Sequence, residues 1–410
     1  MSRLLLRSCR VVPGPAGEAP IPCADVLVEG GVVARIAPRP SPDAPSPLAP
    51  DKADVVVEAR GRALLPAFVD AHTHACWAGQ RLDEWEAKLA ASRTGDDDDA
   101  AYLRTLKAGG GILATVRAVR AASQRQLADN LRARLDVMLH EGTCAVEVKS
   151  GYGLSTEHEL KMLRAIADAA ADFPGAVVPT ALLGHAVDPD EPDFFRTTIE
   201  QTLPAVHAEF PDICVDAYCE EGAWPVEACE ALFRRALELG HPVRVHADQF
   251  HALGMTQRAI ELGALSVDHL EATPPATLGA LAASSTFGVM LPACGFHLDD
   301  RYADGRSFLD TGGDLVVATN CNPGSAPTSS MPFVVALAVR KLGIAPAEAV
   351  EACTTKAAQL LGLADRGVVR EGARADLVLL RHRDERALAH EFGGDPADLV
   401  LCAGEVVKRR

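Results

Sequence analysis

Between residues 64 and 325 the chain alternates apolar runs with amphipathic helical segments, and eight such runs can be counted. They are Leu64 to His74, Gly142 to Gly153, Val177 to Val187, Ile213 to Glu221, Pro242 to Phe250, Ala264 to Glu271, Phe287 to Phe296 and Asp314 to Ser325. Strands buried on both faces are apolar along most of their length, so this rhythm predicts an α/β chain built on a (β/α)₈ barrel of the TIM type. The flanking pieces are patterned differently. Leu4 to Val12, Asp25 to Glu29 and Val32 to Ile36 read as short strands, the last two joined at a Gly30-Gly31 hairpin turn. Gly367 to Gly372, Ala375 to Leu380 and Leu399 to Val407 read the same way at the other end. The division that follows is a barrel over residues 64–363 and a small β-sandwich assembled from residues 1–63 and 364–410. Pro38 to Ala53, rich in Pro, Ser and Ala, reads as a mobile loop.

The ends of the eight runs carry the chemistry. They finish in His72 and His74, Lys149 and Tyr152, His185, Glu220, His246 and Gln249, His269, and Asn320 and Asn322, with only the seventh lacking an obvious catalytic group. Active sites of such barrels lie at the C-terminal ends of the strands, so these side chains should converge. A doubly wound open sheet would not need so many strands to end in polar groups.

Composition narrows the classes. The 410 residues are 48% hydrophobic and 23% charged, which is ordinary for a globular protein, and a formal net charge of −16 argues against nucleic acid or an anionic membrane as partner. An anionic small-molecule substrate would therefore need a local cation. The apolar start is too short for a signal peptide and no stretch is long enough to span a bilayer. Eleven cysteines without a Cys-x-x-Cys pair suit a reducing cytoplasm and read mostly as small buried residues.

His72-Thr73-His74 places two imidazoles on one side of an extended strand, since side chains alternate with a period of two. A lone His-x-His is more often a surface or core pair than half a metal site. Here His246 adds a third imidazole from another strand end and His269 stands at a fourth position, which packing alone does not explain. Three neutral nitrogens with an oxygen ligand suit one Zn²⁺ or iron ion, Fe²⁺ or Fe³⁺, and the implied chemistry is metal-assisted hydrolysis. Arg81 can fork onto a carboxylate, Ser150-Gly151-Tyr152-Gly153 can carry a hydroxyl into a pocket, and Asn322-Pro323-Gly324-Ser325 offers an amide, backbone N–H groups and a hydroxyl. Asp96 to Asp99 reads as a solvated loop or helix start, and Gly109-Gly110-Gly111 as flexible backbone near the pocket.

Together these stretches, with Glu147-Val148-Lys149, Leu183-Gly184-His185, His246-Ala247-Asp248-Gln249 and Val267-Asp268-His269-Leu270, resemble the imidazolonepropionase family of the amidohydrolase superfamily over nearly the whole chain. The resemblance implies ring opening of 4-imidazolone-5-propanoate by water to N-formimino-L-glutamate, in histidine degradation. It implies His72, His74, His246 and Asn320 as metal ligands, Arg81 and Tyr152 on the propanoate, and His185 and Gln249 on the ring. Asn322, Gly324 and Ser325 would contact substrate or product, and His269 would handle a proton beside the metal. It also suggests a homodimer.

One position departs from the family pattern. Where that pattern has an Asp that serves as ligand and base, this chain reads Ala318-Thr319-Asn320-Cys321-Asn322, so the catalytic set becomes His269, Asn320 and Gln249. An amide oxygen can bind a metal but cannot accept a proton, and losing a general base typically costs about 10²- to 10⁴-fold in rate. Two alternatives stand beside an impaired hydrolase: another amidohydrolase acting on a nitrogen heterocycle, such as a deaminase, and a catalytically silent ligand-binding relative.

Overall fold

The computed structural model describes residues 3–48, 53–92 and 111–409. The Asp96 to Asp99 tract and Gly109-Gly110 lie outside the described residues.

Strands β1 (Leu4–Val11), β2 (Ile21–Glu29) and β3 (Val32–Pro38) form an antiparallel meander, and β4 (Val55–Glu58) runs parallel to β1. Next come β5 (Ala63–Pro66) and the barrel strands β6 (Phe68–Asp70), β7 (Thr143–Lys149), β8 (Ala176–Gly184), β9 (Cys214–Cys219), β10 (Val243–Ala247), β11 (Ser266–His269), β12 (Phe287–Met290) and β13 (Leu315–Val317). The chain ends in β14 (Leu377–Leu380), β15 (Ala397–Cys402) and β16 (Glu405–Arg409). Strands β6 to β13 pair in sequence order, all parallel, with helices between them. The helices bury one face each: in 156–170 Met162, Leu163, Ile166 and Ala169 point inward, and Ser155 caps the N-terminus.

The ring closes above the last ladder. Asn320 N–H donates to the His72 carbonyl at 3.0 Å and His74 N–H to the Cys321 carbonyl at 3.1 Å, while the Thr319 N–H and hydroxyl both donate to the Asp70 carboxylate. The stretches that carry His72, His74 and Asn320 are thus the seam of the barrel.

The terminal strands form one mixed sheet, in the order β16-β15-β14-β5-β1-β2-β3 with β4 beside β1, around a core of its own that includes Leu6, Val26, Leu64, Leu377 and Leu401. Two expectations need correction here. Leu64 to Pro66 is not part of the first barrel strand: it pairs with Leu377 to Leu379 in the terminal sheet, and the chain changes sheets just after Pro66, the last bond to that sheet being Ala67 N–H to the Asp376 carbonyl. Gly367 to Gly372 is not a strand; its backbone makes single bonds to two separate segments, Val369 N–H to the Pro13 carbonyl and Gly372 N–H to the Val33 carbonyl. Part of the Pro38 to Ala53 stretch is also anchored rather than loose, because buried Arg39 pairs with buried Asp25 at 2.9 Å.

Candidate active site

At the C-terminal mouth of the barrel a pocket is lined by His74, Arg81, Tyr152, His185, His246, Gln249, His269, Asn320, Asn322 and Ser325. Ile112, which follows the glycine stretch expected near the pocket, and Tyr218, which sequence reasoning does not pick out, complete the wall. His72 lies just beneath, fully buried. Lys149 and Glu220 do not open on the pocket: Lys149 is completely buried inside the barrel, and Glu220 holds the N–H groups of Phe250 and His251. Several strand ends are bent sharply here, with Asp248, His269, Leu270 and Asn320 all at positive φ, which clusters backbone strain at this mouth.

The three imidazoles predicted to hold a metal are together. One nitrogen each from His72, His74 and His246 lies within 4.8 Å of the others, and the Nε2 atoms of His74 and His246 are 3.2 Å apart. His72 Nδ1 is 2.6 Å from the Asp268 carboxylate and His246 Nδ1 is 3.2 Å from that of Asp216. A carboxylate at Nδ1 fixes the tautomer and leaves Nε2 as a lone-pair donor, the usual support for a metal-binding imidazole. Burial first, and then neighbouring positive groups, push all three well below the ordinary histidine range, so they are neutral. His72 Nε2, His74 Nδ1 and Asn320 Oδ1 are buried without a hydrogen-bond partner. Buried polar atoms are rarely left so, and unpartnered lone pairs on His72 and Asn320 beside three clustered imidazoles fit a divalent cation.

Turns deliver the remaining groups. Buried Glu159 accepts N–H bonds from Gly151, Gly153 and Leu154 at 2.7–2.9 Å, pinning the turn that carries Tyr152. Gly151 sits at φ +108°, which a side chain would strain. Replacing Glu159 with Gln removes one acceptor from this cradle; stability should fall by about 1–3 kcal/mol in urea titration, the cost of a buried unpaired donor. A melt superimposable on the parent's would show that the turn holds itself.

Arg81 reaches the pocket wall past Gly324, where any Cβ would run into its guanidinium. Its fork is already engaged by Glu84, Nε to Oε2 at 3.0 Å and Nη2 to Oε1. Sequence reasoning does not anticipate this pairing, although a carboxylate three residues on is a readable helical partner. Asn322 also does more local work than expected: its Oδ1 accepts from Gly324 and Ser325 N–H, and its Nδ2 donates to the Asn320 carbonyl at 2.7 Å.

Around the ring of the pocket, His185 Nδ1 pairs with the Gly151 carbonyl at 3.0 Å and its ring stacks on His74, 4.9 Å between centroids. Burial pushes its pKa down to about 4, so it too is neutral. His269 behaves oppositely: burial resists its charge, yet Glu271, with an oxygen 3.2 Å from Nδ1, and Cys294 lift it to about 10. Gln249 Nε2 donates to Cys294 Sγ at 3.4 Å. Cys294 therefore supplies a polar group to the seventh run, which otherwise has no obvious one; read as a small apolar residue, it gives no signal.

A family model described as the amidohydrolase family matches residues 63–407. The chain is 42% identical over 370 residues to an imidazolonepropionase of Herpetosiphon aurantiacus, covering 87% of this chain and 85% of that one. It is also 42% identical over 381 residues to an imidazolonepropionase of Deinococcus radiodurans, covering 93% and 91%. The chain belongs to the imidazolonepropionase family of amidohydrolases. In fold it is similar to 5-methylcytosine deaminase from Klebsiella pneumoniae, with a TM-score of 0.74, 15% identity and coverage of 100% of this chain and 98% of that one. A triazine hydrolase from Arthobacter aurescens gives a TM-score of 0.70 at 17% identity, covering 100% and 95%. These two likenesses concern the fold alone. The wall of this pocket carries an amide at position 320, whose Oδ1 is buried without a partner.

Proposed function

We propose that this pocket opens the cyclic amide of 4-imidazolone-5-propanoate with water to give N-formimino-L-glutamate. The observation that carries the reading is one pocket that brings Arg81, Tyr152 and His185 beside the cluster of His72, His74 and His246, in a chain closely similar to imidazolonepropionases. The three imidazoles and Asn320 Oδ1 would hold a Zn²⁺ or iron ion, which when bound polarises a carbonyl and makes water a better nucleophile.

The chain's own groups do the rest. Arg81 and the Tyr152 hydroxyl receive the propanoate, which must share the guanidinium with Glu84. His185 keeps Nε2 for the ring because Nδ1 is spent on Gly151, and Gln249, with one of its two amide N–H groups on Cys294, presents Oε1 to a ring N–H. Water adds to the ring carbonyl carbon and gives up a proton to solvent, the carbon–nitrogen bond breaks, and the departing nitrogen takes a proton. His269, held charged by Glu271, is suited to give that proton from Nε2 rather than to act as the base. Asn320 can orient but not deprotonate the water. The eleven cysteines, all free thiols, support a reducing cytoplasm as the compartment; among the described residues no helix is long and apolar enough to cross a membrane.

The test is turnover of freshly made imidazolonepropanoate by metal-loaded protein, followed by loss of the imidazolone absorbance. Arg81→Met should raise KM by about tenfold or more, as expected when a charge-assisted hydrogen bond is lost, with kcat little changed. Binding without any turnover, in the parent and in Asn320→Asp alike, would favour the silent relative. Release of ammonia from a heterocycle instead would favour a deaminase.

A further inference from the structure

Inside the barrel, below the histidine cluster, five charged side chains form a chain of ion pairs, Asp216 to Lys149 to Glu147 to Arg244 to Asp268, every one of them buried. Lys149 belongs to the Glu-Val-Lys-Ser-Gly-Tyr-Gly stretch, but it touches no part of the pocket. Its Nζ lies 2.8 Å from Glu147 Oε1 and 2.8 Å from Asp216 Oδ2. Each of these two carboxylates uses its second oxygen on the site above. Asp216 Oδ1 faces His246 Nδ1 at 3.2 Å, and Glu147 Oε2 accepts the Thr73 N–H at 3.0 Å, the peptide between His72 and His74.

We propose that Lys149 is a positioning residue for the metal-binding set, joining His246 to the His72-Thr73-His74 strand through Asp216 and Glu147. Packing alone does not call for a lysine here, since a buried ion pair is weak support for stability and a hydrophobic side chain of similar volume fills such a space as well. Without the ammonium the two carboxylates repel, their side chains part, and the constraint on His246 or on Thr73 is released. Arg244 does the parallel task for His72: it grips Asp268 Oδ2 at 2.5 Å while donating to the Ala71 carbonyl at 3.0 Å. With an amide at position 320, the negative charge near the ion comes from the two carboxylate–histidine pairs, which makes their alignment matter more.

This inference rests on the proposed metal reading and is tested without substrate. Zn²⁺ affinity is measured by competition with a chromophoric chelator, and Co²⁺-loaded protein is examined by its visible spectrum, which reports ligand number and geometry. Lys149→Met should weaken Zn²⁺ binding by about 10- to 100-fold, the usual effect of losing an outer partner of a ligand, and should alter the Co²⁺ bands. Asp216→Asn should do the same, and Lys149→Met/Asp216→Asn should be no weaker than the weaker single variant, because both act along one path. The double variant also keeps the network at one excess carboxylate, as in the parent, so it decides the matter if Lys149→Met alone does not fold. Parent-like affinity and spectrum in folded variants, or losses that simply add, would overturn the proposal. A parent protein whose Zn²⁺ affinity survives His246→Ala would instead sink the metal reading itself.

Discussion

Asn320→Asp should raise kcat by about 10²- to 10⁴-fold at saturating metal, the range a positioned general base contributes. The backbone at this residue is ready for the change. Its φ of 60° is tolerated by Asp as by Asn, and its N–H and carbonyl bonds, to His72 and from Asn322, do not involve the side chain. The side-chain oxygen already sits buried and unpartnered at the pocket wall, so a carboxylate would occupy the place of the amide with no new contact to make. What changes is the capacity to take a proton, which neither Asn320 nor protonated His269 has. Stability should move in opposite directions in the two forms: an unpaired buried carboxylate destabilises the metal-free protein, while a bound cation removes that penalty. Equal turnover by the parent and the Asn320→Asp variant, both fully metal-loaded, would show that another group accepts the proton.

Stripping the metal with a chelator should abolish measurable turnover and lower the melting temperature, both recovering on readdition of Zn²⁺ or Fe²⁺. The three imidazoles are neutral, buried and clustered, so they gain little in its absence and the ion binds the folded state alone. At a free metal concentration about a thousand times Kd, linkage supplies about 4 kcal/mol. Full activity after exhaustive chelation, with metal content checked by elemental analysis, would remove the metal from the mechanism.

The barrel was legible because parallel strands covered on both faces must be apolar, and Val215, Val243, Val245 and Val267 announce themselves as such. The pocket was legible because its residues sit where those runs stop. Less could be read where a polar residue interrupts a strand. Lys149 and Tyr152 end the same run, yet Lys149 turns inward to Glu147 and Asp216. Tyr152 is instead carried outward by a turn that depends on Glu159, a residue brought back against that turn only once helix 156–170 has formed. Asp216, Arg244 and Asp268 are equally unreadable, since the worth of a buried charge lies in partners on other strands. The change of sheet at Pro66 was hidden by an unbroken apolar run, because hydrophobicity reports burial and not which neighbour provides it.

The seam between His72 to His74 and Asn320 to Cys321 has a bearing on how the molecule comes into being. A nascent chain that has delivered seven barrel strands holds its first two metal-binding histidines on an unpaired edge, and β5 waits for β14 before its own sheet is continuous. The barrel cannot close until Asn320 and Cys321 have been made, nor the terminal sheet until Leu377–Leu380 has followed, so assembly is late, dominated by contacts between distant parts of the sequence, and exposed until then to aggregation through open strand edges.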